Sequence, residues 1–153
     1  MAVKPGAELA GIVLISGRLR ADVHNDNPNA NGVRAYRGED PSRYDERSPV
    51  TWADHCRVPV MIAIAGYENP YLDVYAAELF HRVSVARKRS PRFVRMTQHN
   101  HTSMVAHFNS GEETLGRELL DFMANCRDAL PVRKYCPQPR STGLSEAITS
   151  RRS

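Results

Sequence analysis

The sequence predicts one α/β domain with three layers, in which a mainly parallel sheet carries helices on both faces. Two apolar runs, 11–17 and 58–66, are continuous rather than alternating, which is typical of strands buried on both faces. Helical apolar spacing follows the second run, so the order is strand, excursion, strand, helix, strand, helix. That order favours parallel strands joined by right-handed crossovers. A chain of 153 residues is long enough for one such core.

Three strands and a long helix form the predicted centre. The strands are the apolar runs 11–17, 58–66 and 93–98. Between the last two, Asn69 is predicted to cap a helix and Pro70 to occupy its first position. The apolar face of this helix consists of Leu72, Tyr75, Ala76, Leu79 and Val83.

Two further helices are predicted after the third strand. A short one covers roughly 102–108, with Thr102 or Ser103 as its cap. The next begins at a capping box formed by Ser110 and Glu113. Its apolar face is predicted to contain Leu115, Leu119, Phe122, Met123 and Cys126.

Two segments differ from the rest of the chain in composition. Residues 18–54 are polar and rich in Asn, Asp and Pro, which predicts a long excursion with two short helices that covers a site. Residues 127–153 hold 6 basic and 2 acidic residues and three prolines, and are predicted to be a disordered tail. The domain proper is therefore 1–126.

The charge pattern argues against nucleic acid as a partner. Residues 1–126 contain 15 basic and 15 acidic residues, so the net charge of +4 belongs to the tail. The basic cluster over 87–95 contains a single aromatic residue, Phe93. A solvated loop is the interpretation we favour for this cluster, and contact with phosphates is the alternative. No apolar run is long enough for a membrane span, and the first ten residues lack the apolar core of a signal peptide. We therefore expect a cytoplasmic protein with reduced cysteines and no membrane partner.

Two chemically useful side chains follow neighbouring predicted strands. Glu68 comes just after the second strand, and His101 comes just after the third. Ligands of open parallel sheets bind at the carboxyl ends of the strands. A carboxylate there can accept a hydrogen bond from the imidazole Nδ1–H, which leaves Nε2 as a general base. The sequence thus predicts an acid–histidine pair.

The stretches "GIVLISGRLRADV", "VPVMIAIAGYENPYLDVYAAELF" and "HNHTSMVAHFNSGEETLGRELLDF" resemble the C-terminal half of an α/β-hydrolase of the esterase and lipase type. The resemblance covers roughly residues 9–126. It implies that Glu68 is the acid and His101 the histidine of a catalytic triad acting on small carboxylic esters, or on amides such as formamides. It implies no cofactor, and it places 18–54 where these enzymes insert a cap.

The serine of the triad is missing from this sequence. No G-x-S-x-G or H-G-G stretch occurs, and Ser16 in "LISGR" lacks the flanking glycines. We therefore expect a truncated hydrolase that is inactive alone and needs an N-terminal half to act on its substrate. The alternative is a non-catalytic interaction module that forms homo-oligomers through the exposed edge of the strand at 11–17.

Other interpretations of the polar residues remain open at this point. Asp73 is the alternative acid. A metal site would use His99 and His101 with His107 or Glu68 as the third ligand, although an H-x-H pair is a weak signal. Otherwise His99 is expected to position the turn, and His107 to pack or to meet water.

Two arginines follow the first predicted strand. Arg18 and Arg20 are candidates for binding a substrate carboxylate. The alternative is that they form ion pairs with Asp22 or Asp26 in the excursion.

Overall fold

The centre of the fold is a three-stranded parallel sheet in the order β1-β2-β3. A computed structural model describes residues 9–23, 28 and 30–129, with side chains as far as Cys126. The strands are β1 (Ile12–Ile15), β2 (Val60–Tyr67) and β3 (Arg92–Asn100). The predicted α/β class, the three strands and their parallel direction are confirmed.

Strand β2 is buried on both faces, which explains its continuous apolar sequence. Val60, Ile62 and Ile64 belong to one apolar cluster, whereas the residues between them, Met61, Ala63 and Ala65, belong to another. Successive side chains of a strand point to opposite faces, so each set meets a different layer. Burying both sets fixes the register of β2 against its neighbours, since a slip by one residue would exchange the two faces.

Helices cover both faces of the sheet. The helices are α1 (Ala30–Arg37), α2 (Leu72–Arg87), α3 (Ser103–Ala106) and α4 (Thr114–Ala129), and short 3-10 segments lie at Pro41–Arg43 and Pro49–His55. Helix α2 and the second 3-10 segment pack on the Val60 face, and α3 and α4 pack on the Met61 face. In the described part of the chain, no helix is long and apolar enough to cross a membrane.

Helix α2 begins two residues later than the sequence predicts. Its first residue is Leu72, and the residue before it, Tyr71, has a left-handed backbone with φ 69°. The Leu72 N–H donates to the carbonyl of Asn69 at 3.2 Å, so 69–72 is a turn and the predicted cap at Asn69 and first position at Pro70 are wrong. The apolar face is as predicted, because the spacing of its residues does not depend on where the helix starts.

Helix α4 begins at Thr114 without the predicted capping box. The Thr114 N–H donates to the Glu112 carboxylate at 3.0 Å, whereas the Ser110 hydroxyl donates back to the His107 carbonyl at 2.6 Å. The backbone is left-handed at Gly111, φ +89°, so Ser110 lies in the preceding turn rather than at the helix end. The capping box of Ser110 and Glu113 is therefore wrong.

The C-terminal end of α4 departs from the prediction in two ways. Met123 is 49% exposed and lies off the apolar face that Leu115, Phe122 and Cys126 form. The helix continues to Ala129, three residues into the predicted tail. The remainder of that tail, with Cys136, lies outside the described residues. Cys56 and Cys126 are free thiols.

Buried hydrogen bonds hold the polar excursion together internally, and an ion pair links it to α2. Ser48 is buried; its hydroxyl accepts from the Ala21 N–H at 2.8 Å and donates to the Tyr44 carbonyl at 2.7 Å. Arg20 binds Glu78 of α2 through two nitrogens and Asp45 through a third contact at 3.1 Å. The sequence predicts two short helices for this segment, and its described part contains three short helical segments, α1 and the two 3-10 segments. Residues 24–27 and 29 lie outside the described part.

Candidate active site

The strand register places Glu68 and His101 at the same edge of the sheet. Tyr67 of β2 is in register with Asn100 of β3. Glu68 and His101 are the next residues along the chain, and parallel strands end on the same side, so their side chains start level with each other. The structure therefore brings together the two residues that the sequence singles out.

Glu68 and His101 are joined by a hydrogen bond. Nδ1 of His101 lies 2.8 Å from Oε1 of Glu68. An ionised carboxylate only accepts hydrogen bonds, so the proton on this side belongs to Nδ1, and Nε2 carries the lone pair of the neutral ring. The Glu68 side chain is 3% exposed, but that of His101 is 40% exposed. The acid is thus enclosed, and the imidazole is open to a ligand.

Ser16 is a third member of this group, and the sequence does not single it out as a partner of Glu68. It follows β1 directly, its φ is +45°, and its hydroxyl donates to Oε2 of Glu68 at 2.5 Å. The Ser16 N–H donates to the Ala63 carbonyl at 2.8 Å, which continues the β1–β2 pairing to this residue. The sequence feature that could have identified it is its position at the end of a strand that neighbours β2. The Ser16 hydroxyl therefore serves mainly as a hydrogen-bond donor to Glu68.

Glu68 receives four hydrogen bonds. Besides those from Ser16 and His101, the N–H groups of Ala65 and Asn69 donate to its two oxygens at 3.1 and 3.0 Å. Burial on its own raises the pKa of the Glu68 carboxyl, but these donors, with Ser16 first, hold the pKa below its ordinary value of 4.5. Glu68 is therefore a fixed, ionised carboxylate at neutral pH, able to orient His101 and to stabilise its charged form.

A cleft of about 430 Å³ opens beside His101. Ser16, Arg18 and Leu72 are among the residues that line it. Helix α1 of the polar excursion adds Val33, Tyr36 and Arg37 to the lining of this cleft. That the segment covers a functional site stays a prediction. The cleft is large enough for a small ester or amide.

The two arginines after β1 have different surroundings. Arg20 forms ion pairs with Glu78 and Asp45. Of the two aspartates expected to pair with the arginines, Asp26 lies outside the described residues. Arg18 lines the cleft, and its buried Nη1 has no hydrogen-bond partner within the described residues. Of the two candidates for a substrate carboxylate, only Arg18 is in a position to meet a ligand in the cleft.

The other candidate residues lie elsewhere. Asp73 is exposed in the first turn of α2, where it accepts from the Val74 N–H. Thr102 is the N-cap residue of α3, as predicted, but its side chain makes no capping hydrogen bond. The side-chain oxygen of Asn100 instead accepts from the N–H groups of Thr102 and Ser103, and Ser103 is the first helical residue rather than the cap. The Ser103 hydroxyl accepts from the Asn100 N–H at 2.9 Å and thereby tightens the turn.

The three histidines of the "HNHTSMVAH" stretch separate into two groups. His101 turns to Glu68, whereas His99 lies 3.3 Å from Glu112 through Nε2 and contacts the His107 ring edge to face, with centroids 5.1 Å apart. The predicted metal site that uses both His99 and His101 is therefore wrong. Among the described residues, the side chains that lie close enough to share a metal ion are His99, His107 and Glu112.

The hydrogen bond from Ser16 to Glu68 predicts that the effect of Ser16→Ala on stability depends on pH. Ser16→Ala is expected to lower the free energy of unfolding by about 1.5–3 kcal/mol at pH 7, as for hydrogen bonds to charged groups. The lowered pKa of Glu68 means that its charge stabilises the folded state above pH 4.5, and this stabilisation is lost as the pH falls through the lower folded-state pKa. The difference between wild type and variant should therefore shrink below pH 4.5, measured by urea unfolding.

Ser84→Ala is the matched control for this experiment. The Ser84 hydroxyl donates to the Phe80 carbonyl within α2, so no ionisable group accepts from it. Its effect on unfolding should not vary over the same pH range. An equal effect of Ser16→Ala at pH 7 and below pH 4.5 would show that Ser16 does not stabilise the Glu68 charge.

Comparisons with protein-family models and with curated proteins find no match to this chain. The functional interpretation therefore rests on the geometry of the site.

Proposed function

We propose that this chain supplies the acid and the histidine of a serine-hydrolase triad that acts on carboxylic esters, or on amides such as formamides. The observation that supports the proposal is the 2.8 Å hydrogen bond between Glu68 and His101 at the carboxyl ends of neighbouring parallel strands. The open imidazole lies on a cleft, and the acid behind it is enclosed and ionised. This is the arrangement that a general base and its orienting acid require.

The proposed cycle uses Nε2 of His101 for each proton transfer. Nε2 takes the proton of an attacking serine while the serine oxygen bonds to the substrate carbonyl carbon. It then gives that proton to the departing alcohol or amine, leaving an acyl-serine. A water molecule repeats the two steps and releases the acid. Glu68 keeps Nδ1 protonated and stabilises the imidazolium, without taking the proton itself.

Neither serine near the pair fits the role of nucleophile. The Ser16 hydroxyl donates to Glu68, so its proton is directed at the carboxylate and not at the imidazole. The Ser103 hydroxyl is held by Asn100 and lies 3.3 Å from Nδ1 of His99, a different ring. We therefore propose that the nucleophile comes from a second polypeptide segment that carries G-x-S-x-G.

A second candidate function is that of an assembly module, and the edge of the sheet favours it. Among the described strands β1 pairs only with β2, and its four residues are half-buried. Its other side offers unpaired backbone groups to another strand. In the first candidate this edge receives the segment that carries the serine. In the second candidate this edge pairs with another copy of the chain, and the assembly catalyses no reaction.

One experiment on the purified full chain separates these candidates. The chain is treated with a fluorophosphonate probe, assayed with p-nitrophenyl acetate, and sized by light scattering. Alone, it should show no covalent labelling and no probe-sensitive turnover. Co-expression with a segment encoding G-x-S-x-G, translated from the DNA upstream of Met1, should produce both.

The outcomes have separate meanings. Labelling of the chain alone would show that one of its own serines is a nucleophile, against the proposed division of the triad. If no such upstream segment exists and the chain forms a defined oligomer, the assembly module is the function that remains. A monodisperse monomer would exclude pairing between copies through β1.

A further inference from the structure

Three side chains outside the acid–histidine pair lie close together near the carboxyl end of β3. His99 is the last residue but one of β3, His107 follows α3, and Glu112 precedes α4. One ligand atom from each lies within 4.8 Å of the other two. We propose that His99, His107 and Glu112 bind a zinc ion that ties the ends of these three elements together. This inference does not depend on the proposed hydrolase function.

The spacing of the donors suits zinc. Zinc binds imidazole nitrogen and carboxylate oxygen at bond lengths that place two ligands of a tetrahedral site roughly 3.4 Å apart. Nε2 of His99 and Oε2 of Glu112 are already 3.3 Å apart. His107 is exposed, so its ring can rotate toward the other two donors. Three protein ligands leave a fourth position for water.

The two inner ligands are held in place through their other polar atoms. His99 is 9% exposed, and its Nδ1 lies 3.3 Å from the Ser103 hydroxyl, which leaves Nε2 for the metal. Oε1 of Glu112 accepts from the Thr114 N–H, which leaves Oε2 facing His99. Hydrogen bonds of this kind fix the orientation of metal-binding imidazoles and carboxylates. Only His107 has to adjust when the ion binds.

The backbone reverses direction between His107 and Glu112. Asn109 has φ 63° and Gly111 has φ +89°, two left-handed residues within three positions. This reversal carries Glu112 back to the histidines. Because an ion bound here would cross-link β3, α3 and α4 in the folded state only, zinc should stabilise the fold by mass action.

The test uses the full chain, freed of metal with a chelator and dialysed into a non-chelating buffer with reduced thiols. Zinc chloride titration by calorimetry is expected to show one ion per chain, and zinc should raise the melting temperature where Mg²⁺, which prefers oxygen ligands, does not. His107→Ala and Glu112→Gln should each weaken zinc binding by about tenfold or more, since even groups that only orient ligands have effects of that size.

Two controls match the variants in residue type. His81→Ala on α2 and Glu113→Gln beside the cluster remove an exposed histidine and an exposed acid that are not ligands. Both should bind zinc as the wild type does. The metal-free His107→Ala chain should melt like the metal-free wild type, so lost binding would not reflect unfolding. Absence of zinc binding in the wild type, or unchanged binding in both cluster variants, would overturn the proposal.

Discussion

His101→Ala is expected to lower kcat/KM for a p-nitrophenyl ester by about 10⁴-fold or more, once the chain is combined with the proposed serine-bearing segment. The reason is that the imidazole performs every proton transfer in the proposed cycle. Within the described part of the chain, neither neighbour of the site can replace it, because Glu68 is enclosed and fully hydrogen-bonded and His99 faces Glu112. Steady-state kinetics on the complex would measure the loss.

Glu68→Gln tests the same site with a side chain of nearly unchanged shape. It removes the charge that stabilises the imidazolium, and its amide can favour the wrong tautomer of His101, so a loss of about 10³- to 10⁴-fold is expected. His81→Ala, on the exposed face of α2, should leave turnover unchanged. If His101→Ala retained full turnover while the complex remained labelled by a fluorophosphonate, His101 would have no part in the mechanism.

Gly66→Ala is expected to destabilise the fold by about 3 kcal/mol or more, at the upper end of what overpacking costs. A Cβ at Gly66 would lie 2.1 Å from the carbonyl oxygen of Thr97 and under 3 Å from two further backbone atoms of that residue. No side chain can move aside to relieve this contact. The two strands that carry Glu68 and His101 would have to separate.

Gly116→Ala provides the matched control. Gly116 lies in α4, and no atom lies within 4 Å of a Cβ built there. Gly116 is in the first turn of α4, so alanine should stabilise the protein by at most about 0.5–1 kcal/mol, the value for a helix interior. Urea unfolding of both variants measures the contrast. Similar stabilities of Gly66→Ala and the wild type would mean that β2 and β3 do not approach each other at this point as closely as the structure shows.

Much of the fold follows from the sequence because the strongest signals come from burial. The continuous run of β2 reflects two covered faces, and the spacing of residues such as Leu79 and Val83 reflects the contact of α2 with the sheet. The pairing of Glu68 with His101 also follows from topology, since parallel strands finish at one edge. Their catalytic role stays a prediction.

What the sequence does not predict depends on single backbone conformations. Tyr71 and Asn109 adopt left-handed φ values without being glycine, and no periodic pattern signals such residues. The first moves the start of α2, and the second helps to bring Glu112 to the histidines. The Ser16 bond was missed for a related reason: the distance between a hydroxyl and a carboxylate 52 positions apart depends on side-chain rotamers.

Strand β1 joins two properties that are usually separate in a protein. Among the described strands, one side of it has no partner, and the residue that follows it is Ser16, the donor to Oε2 of Glu68. A strand that added to this edge would act on the backbone that aims the Ser16 hydroxyl. Assembly and the ionisation of the acid would then be thermodynamically linked, so a partner that binds β1 more tightly when Glu68 is charged must also make Glu68 harder to protonate.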